Sequence, residues 1–204
     1  MVLLLTFACS SGDPLSGCDL GVSPTTIDGV VGQIDALPEP SVACFLASLE
    51  RPLQATAAFS ATSTQPAGER DPRVFLVLDD LVVTTIVSGD HADRLELGER
   101  HDASRSVKAE IDLALADPDP FGDVREGEGT RCAVCHAGEE EVQEGRFASR
   151  ALRPHVEQIA PIGDGALEHL ACVGENARCD RLRGLYGFGR VEEAELGPGF
   201  DLLF

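Results

Sequence analysis

The chain of 204 residues has one methionine, Met1, and one lysine, Lys108. Its basic residues are otherwise all arginine, which reflects coding bias as much as function. No stretch approaches the roughly 20 apolar residues of a membrane-crossing helix, so the chain is expected to be anchored or secreted and not membrane-spanning. It has no Gly-x-Ser-x-Gly elbow, no phosphate loop and no carboxylate pair at a catalytic spacing. It has no internal repeat and no extended low-complexity tract. Positive charge is scarce, with 16 Lys and Arg against 35 Asp and Glu and a formal net charge of −19. Such a surface repels phosphates, which excludes nucleic acid as a partner, and it repels anionic lipid headgroups. A basic partner would be steered towards it, although the same acidity also serves solubility. The length supports one domain or two small ones, and a hydrophobic fraction of 43% is ordinary for a globular core.

Against these absences stands one strong chemical signal. Residues 132–136 read Cys-Ala-Val-Cys-His. In these five residues and their immediate flanks the sequence resembles c-type cytochromes. The resemblance implies one haem c, attached by thioether bonds from Cys132 and Cys135, with His136 as the proximal iron ligand. Other readings of Cys-x-x-Cys are a redox dithiol, half a zinc site, or a plain disulfide. A dithiol usually opens a helix in a βαβ unit, and Gly127-Glu128-Gly129-Thr130-Arg131 offers none. A zinc site needs a second ligand pair, and His91, His101, His155 and His169 form none at the required spacing.

The chain departs from the common small cytochrome c in two ways. The residues before the motif are rich in Gly, Pro and Asp, where that family has a helix. The family's later methionine ligand is also missing, since Met1 is the only methionine and is lost with any cleaved leader. A His–Met iron is therefore close to excluded, leaving His–His, His–water or a weaker ligand. His155 is the first candidate for the sixth position. It lies 19 residues after His136 and behind Pro154, which would stiffen the approach. His169 comes next, and His91 and His101 lie in acidic, loop-like surroundings. Each is equally readable as a surface histidine. Arg150 and Arg153 are candidates to pair with haem propionates, or are simply solvated.

Haem attachment of this kind needs an exported chain. Met1 to Ala8 is apolar and ends in a small residue before Cys9, which looks like the end of a bacterial lipoprotein signal. No Lys or Arg precedes the run, and Thr6 stands where that signal expects leucine. Cys9 is the expected lipidation site, followed by the tether Ser-Ser-Gly-Asp-Pro. The expected location is the periplasm or the membrane surface of the cell envelope. Seven cysteines are present, and lipid and haem account for three of them. The remaining Cys18, Cys44, Cys172 and Cys179 can form two disulfides in an oxidising compartment. The short intervening loop favours Cys172–Cys179, which leaves Cys18–Cys44.

Periodicity suggests an α+β chain, with an N-terminal antiparallel β region followed by a helix-rich, haem-bearing segment. The expected divisions are a signal remnant at 1–8, a tether and N-terminal segment at 9–40, a β-rich region at 41–118 and the haem-attachment region at 119–204. Val74–Leu78 and Leu81–Val87 read as a hairpin across Asp79-Asp80. Arg94–Leu97 is a shorter strand. Val107 to Leu115 alternates apolar and polar residues, as a strand with one buried face would. Cys44 to Phe59 fits helix or strand, and strand is favoured by its neighbours, with Pro52 breaking either. Thr62 to Arg73 reads as a loop. Helices are expected at Glu139–Phe147, Gly165–Val173 and Ala177–Tyr186, the last stopped by Gly187 and Gly189.

Three functions follow. A monohaem electron carrier, met by a basic redox partner, predicts a reversible six-coordinate haem. An open-site haem enzyme or gas sensor predicts a high-spin iron that binds carbon monoxide or cyanide. A cell-envelope binding or structural lipoprotein would use the β region, with haem or metal secondary. The carrier is the favoured reading.

Overall fold

Residues 73–112 are rich in apolar and β-branched side chains, and this stretch forms the centre of a nine-stranded sheet. The computed structural model describes residues 13–59, 65, 67–68, 71–115, 118–154, 156–163, 172, 176–194 and 201–202. The first strands are β1 (Leu53–Ala58), β2 (Arg73–Leu78), β3 (Leu81–Ile86), β4 (Arg94–Arg100) and β5 (Arg105–Asp112). A short ribbon follows, β6 (Arg125–Glu126) with β7 (Gly129–Thr130). Then come β8 (Glu140–Gln143), β9 (Arg146–Arg150), β10 (Leu152–Arg153), β11 (Ile159–Ala160), β12 (Val191–Glu193) and β13 (Asp201–Leu202). The main sheet runs β11-β1-β2-β3-β4-β5-β9-β8. Its pairs are antiparallel except that β12 joins β1 in parallel. β11 takes the Ala57–Ala58 end of β1 and β12 takes the Leu53–Ala55 end, so together they cover one edge.

One face of the sheet is dry. Ala55, Leu76, Val83, Leu95 and Ile111 point to this side and are at most 1% exposed. They pack in one core with three helices, α1 (Ile27–Asp35), α2 (Val42–Ser48) and α3 (Ala177–Tyr186). Thr26 caps α1 by accepting from the Gly29 amide, and the Glu99 carboxylate on β4 accepts from the Ile27 amide at 2.7 Å. Ser41 caps α2, whose seven residues are all buried. Gly184 of α3 lies so close to α2 that a Cβ there would overlap the Ala43 carbonyl oxygen. The Arg51 guanidinium donates to the carbonyls of Leu46 (3.0 Å), Gly184 (2.7 Å) and Leu185 (2.6 Å), satisfying acceptors that two helix ends leave open.

The expected α+β division does not hold. The protein is mostly antiparallel sheet with three short α-helices among the described residues, and the part after residue 118 is not helix-rich. Glu139–Phe147 is not a helix. Its residues form the β8–β9 hairpin, turning at Gly145 with φ of 72°. The acids read as a helix start are used elsewhere. Glu140 pairs with Arg105 at 2.5 Å, and Glu139 binds Thr130. Cys44–Phe59 divides where the strand reading did not expect it: Ser41 starts α2, and β1 begins only after Pro52. The sequence reading placed no element at α1. The hairpin β2–β3 and helix Ala177–Tyr186 stand as expected. The helix expected at Gly165–Val173 lies outside the described residues.

The largest difference concerns the alternating strand β5. Both of its faces are buried. Ser106, Lys108 and Glu110 are 2%, 9% and 5% exposed, on the side away from the core. The chain after residue 118 folds back over that side. Pro120 accepts from the Glu110 amide at 2.9 Å, and Arg131 reaches the Glu110 carboxylate.

Candidate functional site

The motif segment is built by a short capped turn. Residues Arg131–Val134 form a single turn of 3-10 helix after β7. The Thr130 hydroxyl accepts from the Cys132 amide at 3.2 Å. The Cys132 carbonyl then accepts from the amides of Cys135 (3.2 Å) and His136 (2.8 Å). This folds Cys132, Cys135 and His136 onto one side. Glu139 closes the loop, accepting from the Thr130 amide at 2.8 Å and from its hydroxyl. A Cβ at Gly129 would overlap that carboxylate in its present position, so a larger residue there would displace Glu139. Cys132 and Cys135 are free cysteines. Burial pushes the Cys132 thiol up, which keeps it protonated at neutral pH.

His136 is held from behind. Its Nδ1 lies 2.8 Å from the Arg150 backbone carbonyl on β9. A carbonyl can only accept, so Nδ1 carries the proton and Nε2 keeps its lone pair. Burial lowers the imidazole pKa to about 4, with the Lys108 charge adding to the effect. The ring is neutral at physiological pH, as a metal ligand must be.

All three motif side chains line one cleft of about 160 Å³ that opens to solvent. Its far wall is the second face of the sheet. Register places Thr56, Phe75, Thr84, Glu96 and Glu110 in one row across five strands. Ala58, Phe59, Phe75, Leu97, Leu152 and Pro154 give the cleft apolar surface, and Arg73, Glu96, Lys108, Glu110 and Arg131 give it charge. Glu96 and Glu110 are direct cross-strand partners, an arrangement that alone would destabilise the sheet. Arginines offset it. Arg73 pairs with Glu96, while Arg94 (2.8 Å) and Arg131 (2.5 Å) share one oxygen of Glu110. Burial raises the Glu110 pKa despite these partners. Lys108 donates from Nζ to the Ser106 hydroxyl at 2.6 Å, and burial lowers its pKa to about 8.

The sequence-derived candidates separate clearly. Cys132, Cys135 and His136 come together. Cys9, His155 and His169 lie outside the described residues. His91 and His101 are exposed and do not line the cleft. Arg150 enters the site through its carbonyl, whereas Arg131 and Arg73 supply guanidinium groups at the cleft. The cysteine pairs Cys18–Cys44 and Cys172–Cys179 stand at disulfide distance, as the loop argument favoured. Sequence reasoning missed Arg73, Glu96, Lys108, Glu110 and Arg131. The available signal was a run of polar residues at period two on central strands, which marks one face but not what covers it. Among the described residues no group of three or more His, Cys, Asp or Glu is placed to hold a metal ion, so a zinc reading of Cys132 and Cys135 finds no second ligand pair there. Among the same residues no helix is long and apolar enough to cross a membrane. Compared with known protein families, with curated proteins and with solved structures, the chain matches none.

Proposed function

We propose that this protein carries one haem attached through Cys132 and Cys135, and that it transfers single electrons in the cell envelope as an exported protein anchored by lipid at Cys9. One observation carries the reading. Two free thiols and a neutral imidazole, its tautomer set by a carbonyl, share one wall of a cleft. The donor set fits the group. The thiols stand at the spacing that haem attachment uses, and Nε2 of His136 is left for iron. The haem would supply a one-electron redox centre.

The chain's own residues have distinct tasks. The Arg150 carbonyl orients His136 and raises its basicity, as outer-shell acceptors do for metal-bound histidines. Arg73 and Arg131 bring guanidinium groups suited to carboxylates such as propionates. The apolar residues exclude water from one side of the cleft. Glu96 and Glu110 place negative charge nearby, which favours the oxidised, more positive centre and lowers its potential. The net charge of −19 suits a basic redox partner and does not suit nucleic acid. Cys9 rests on the sequence pattern alone.

The test is a pyridine haemochrome assay on protein exported from cells that have a haem-attachment system. A c-type haemochrome that disappears in C132A/C135A, with the polypeptide still present, is the expected result. A wild-type protein without covalent haem would overturn the proposal.

A further inference from the structure

The proposed iron has a histidine on one side, and the chain offers no methionine beyond Met1 for the other. Among the described residues the cleft contains one other nitrogen donor able to bind iron. Lys108 lines the same space as Cys132, Cys135 and His136. Arginine cannot shed its proton, so Arg73 and Arg131 have no lone pair to give, whereas a lysine amine can release one proton to water and present one.

The surroundings of Lys108 are unusual for a cation. The residue is 9% exposed at the middle of β5. Among the described residues its Nζ has one hydrogen-bond partner, the Ser106 hydroxyl, and no carboxylate within ion-pair distance. A buried ammonium with so little compensation costs stability. Its cross-strand partner is Gly98, so no side chain stands opposite it on that strand. Lys108 is also near enough for its charge to act on both Cys132 and His136. This position alone keeps lysine in a chain whose other cations are arginine, including the buried Arg181.

We infer that Lys108 is the second axial ligand of the iron held by His136. The inference rests on the proposed haem attachment and gives the carrier reading its missing ligand. A competing role is an ion pair with a propionate, which arginine would fill equally well.

The experiment uses the exported, haem-loaded protein and reads spin state by electron paramagnetic resonance and the ligand pair by near-infrared magnetic circular dichroism. Wild type is expected to be fully low-spin ferric, with the signature of histidine and amine. K108A and K108R should both become high-spin, and the haemochrome yield should not change. K108M places a thioether at the same point on an unbranched chain of similar length. It should regain a low-spin centre with a sulfur-to-iron charge-transfer band, and it keeps the test open if shorter variants fold poorly. Low-spin K108A and K108R with the wild-type signature would overturn the inference. So would a low-spin K108R alone, which would assign Lys108 to a propionate, or a high-spin wild type. Absence of covalent haem from wild type is a separate outcome, seen in the haemochrome assay, and it removes both proposals together.

Discussion

The two faces of the central sheet come from the same strands and are built on opposite terms. Towards the helices, β2 to β5 present Leu76, Val83, Leu95 and Ile111, which are buried among other apolar groups. On the other side the same strands present Phe75, Glu96, Lys108 and Glu110 to a cleft. The first face gains stability from burial at roughly 25 cal/mol for each Å² of apolar surface. The second loses some of it by burying charge, and ion pairs to Arg73, Arg94 and Arg131 recover only part. A face that is covered and still expensive is better explained by use than by folding.

Adjacent residues of β2 test this division most directly. Leu76→Ala removes a side chain with no exposure and should cost about 2–5 kcal/mol in denaturant unfolding. Phe75→Ala, one residue earlier on the half-buried cleft side, should cost about 1 kcal/mol. Equal losses would erase the distinction.

Next in size is the link that holds the N-terminal segment to α2. Replacing Cys18 and Cys44 together by alanine opens a bridge between residues 26 apart in sequence and should cost about 3 kcal/mol, measured against wild type under oxidising conditions. No change in the denaturation midpoint would mean that the dry face does not depend on that link.

Lys108→Met should act in the opposite direction. In protein made without haem it should stabilise by on the order of 3 kcal/mol at pH 7, since the native lysine has a pKa of about 8 instead of about 10.5. The lysine penalty is complete below pH 8, because the folded state must then hold the charge that burial disfavours. It fades as pH rises towards 10.5, so the advantage of the variant should shrink over that interval. A destabilised variant at pH 7 would show that the amine contributes to the fold.

A further effect, seen only on acidification, concerns His136. Its folded pKa of about 4 lies below the ordinary value of 6.5, so the unfolded chain takes up the proton first as pH falls. Haem-free protein should therefore lose stability between pH 6.5 and 4, and His136→Ala should lack that part of the decline. Glu110 works the other way on acidification because its pKa is raised, so the comparison must be between these two proteins. Parallel stability curves would show that the imidazole is not buried in its neutral form.

What was legible in the sequence follows from this same comparison. Cys132, Cys135 and His136 are neighbours in the chain, and a single capped turn keeps them neighbours in space. The β2–β3 hairpin and α3 carry their signals within about ten residues. Alternation in β5 correctly separated Ala109 and Ile111 from Lys108 and Glu110. It could not show that the chain after residue 118 returns to cover the polar side. Glu139 and Glu140 read as part of a helix start because their partners, Thr130 and Arg105, are not local. In each case the missing information was a contact made by a distant segment.

The Arg51 guanidinium, bound to carbonyls of α2 and α3, has a consequence for the order in which this chain is made. β1, which follows it directly, also pairs with β12, so residues 46–55 are completed by residues 184–193. A polypeptide emerging from its N-terminus cannot close this seam until residues 184–193 have been synthesised. Contacts between such distant segments form late and slowly. Until then the nascent protein remains open at its core.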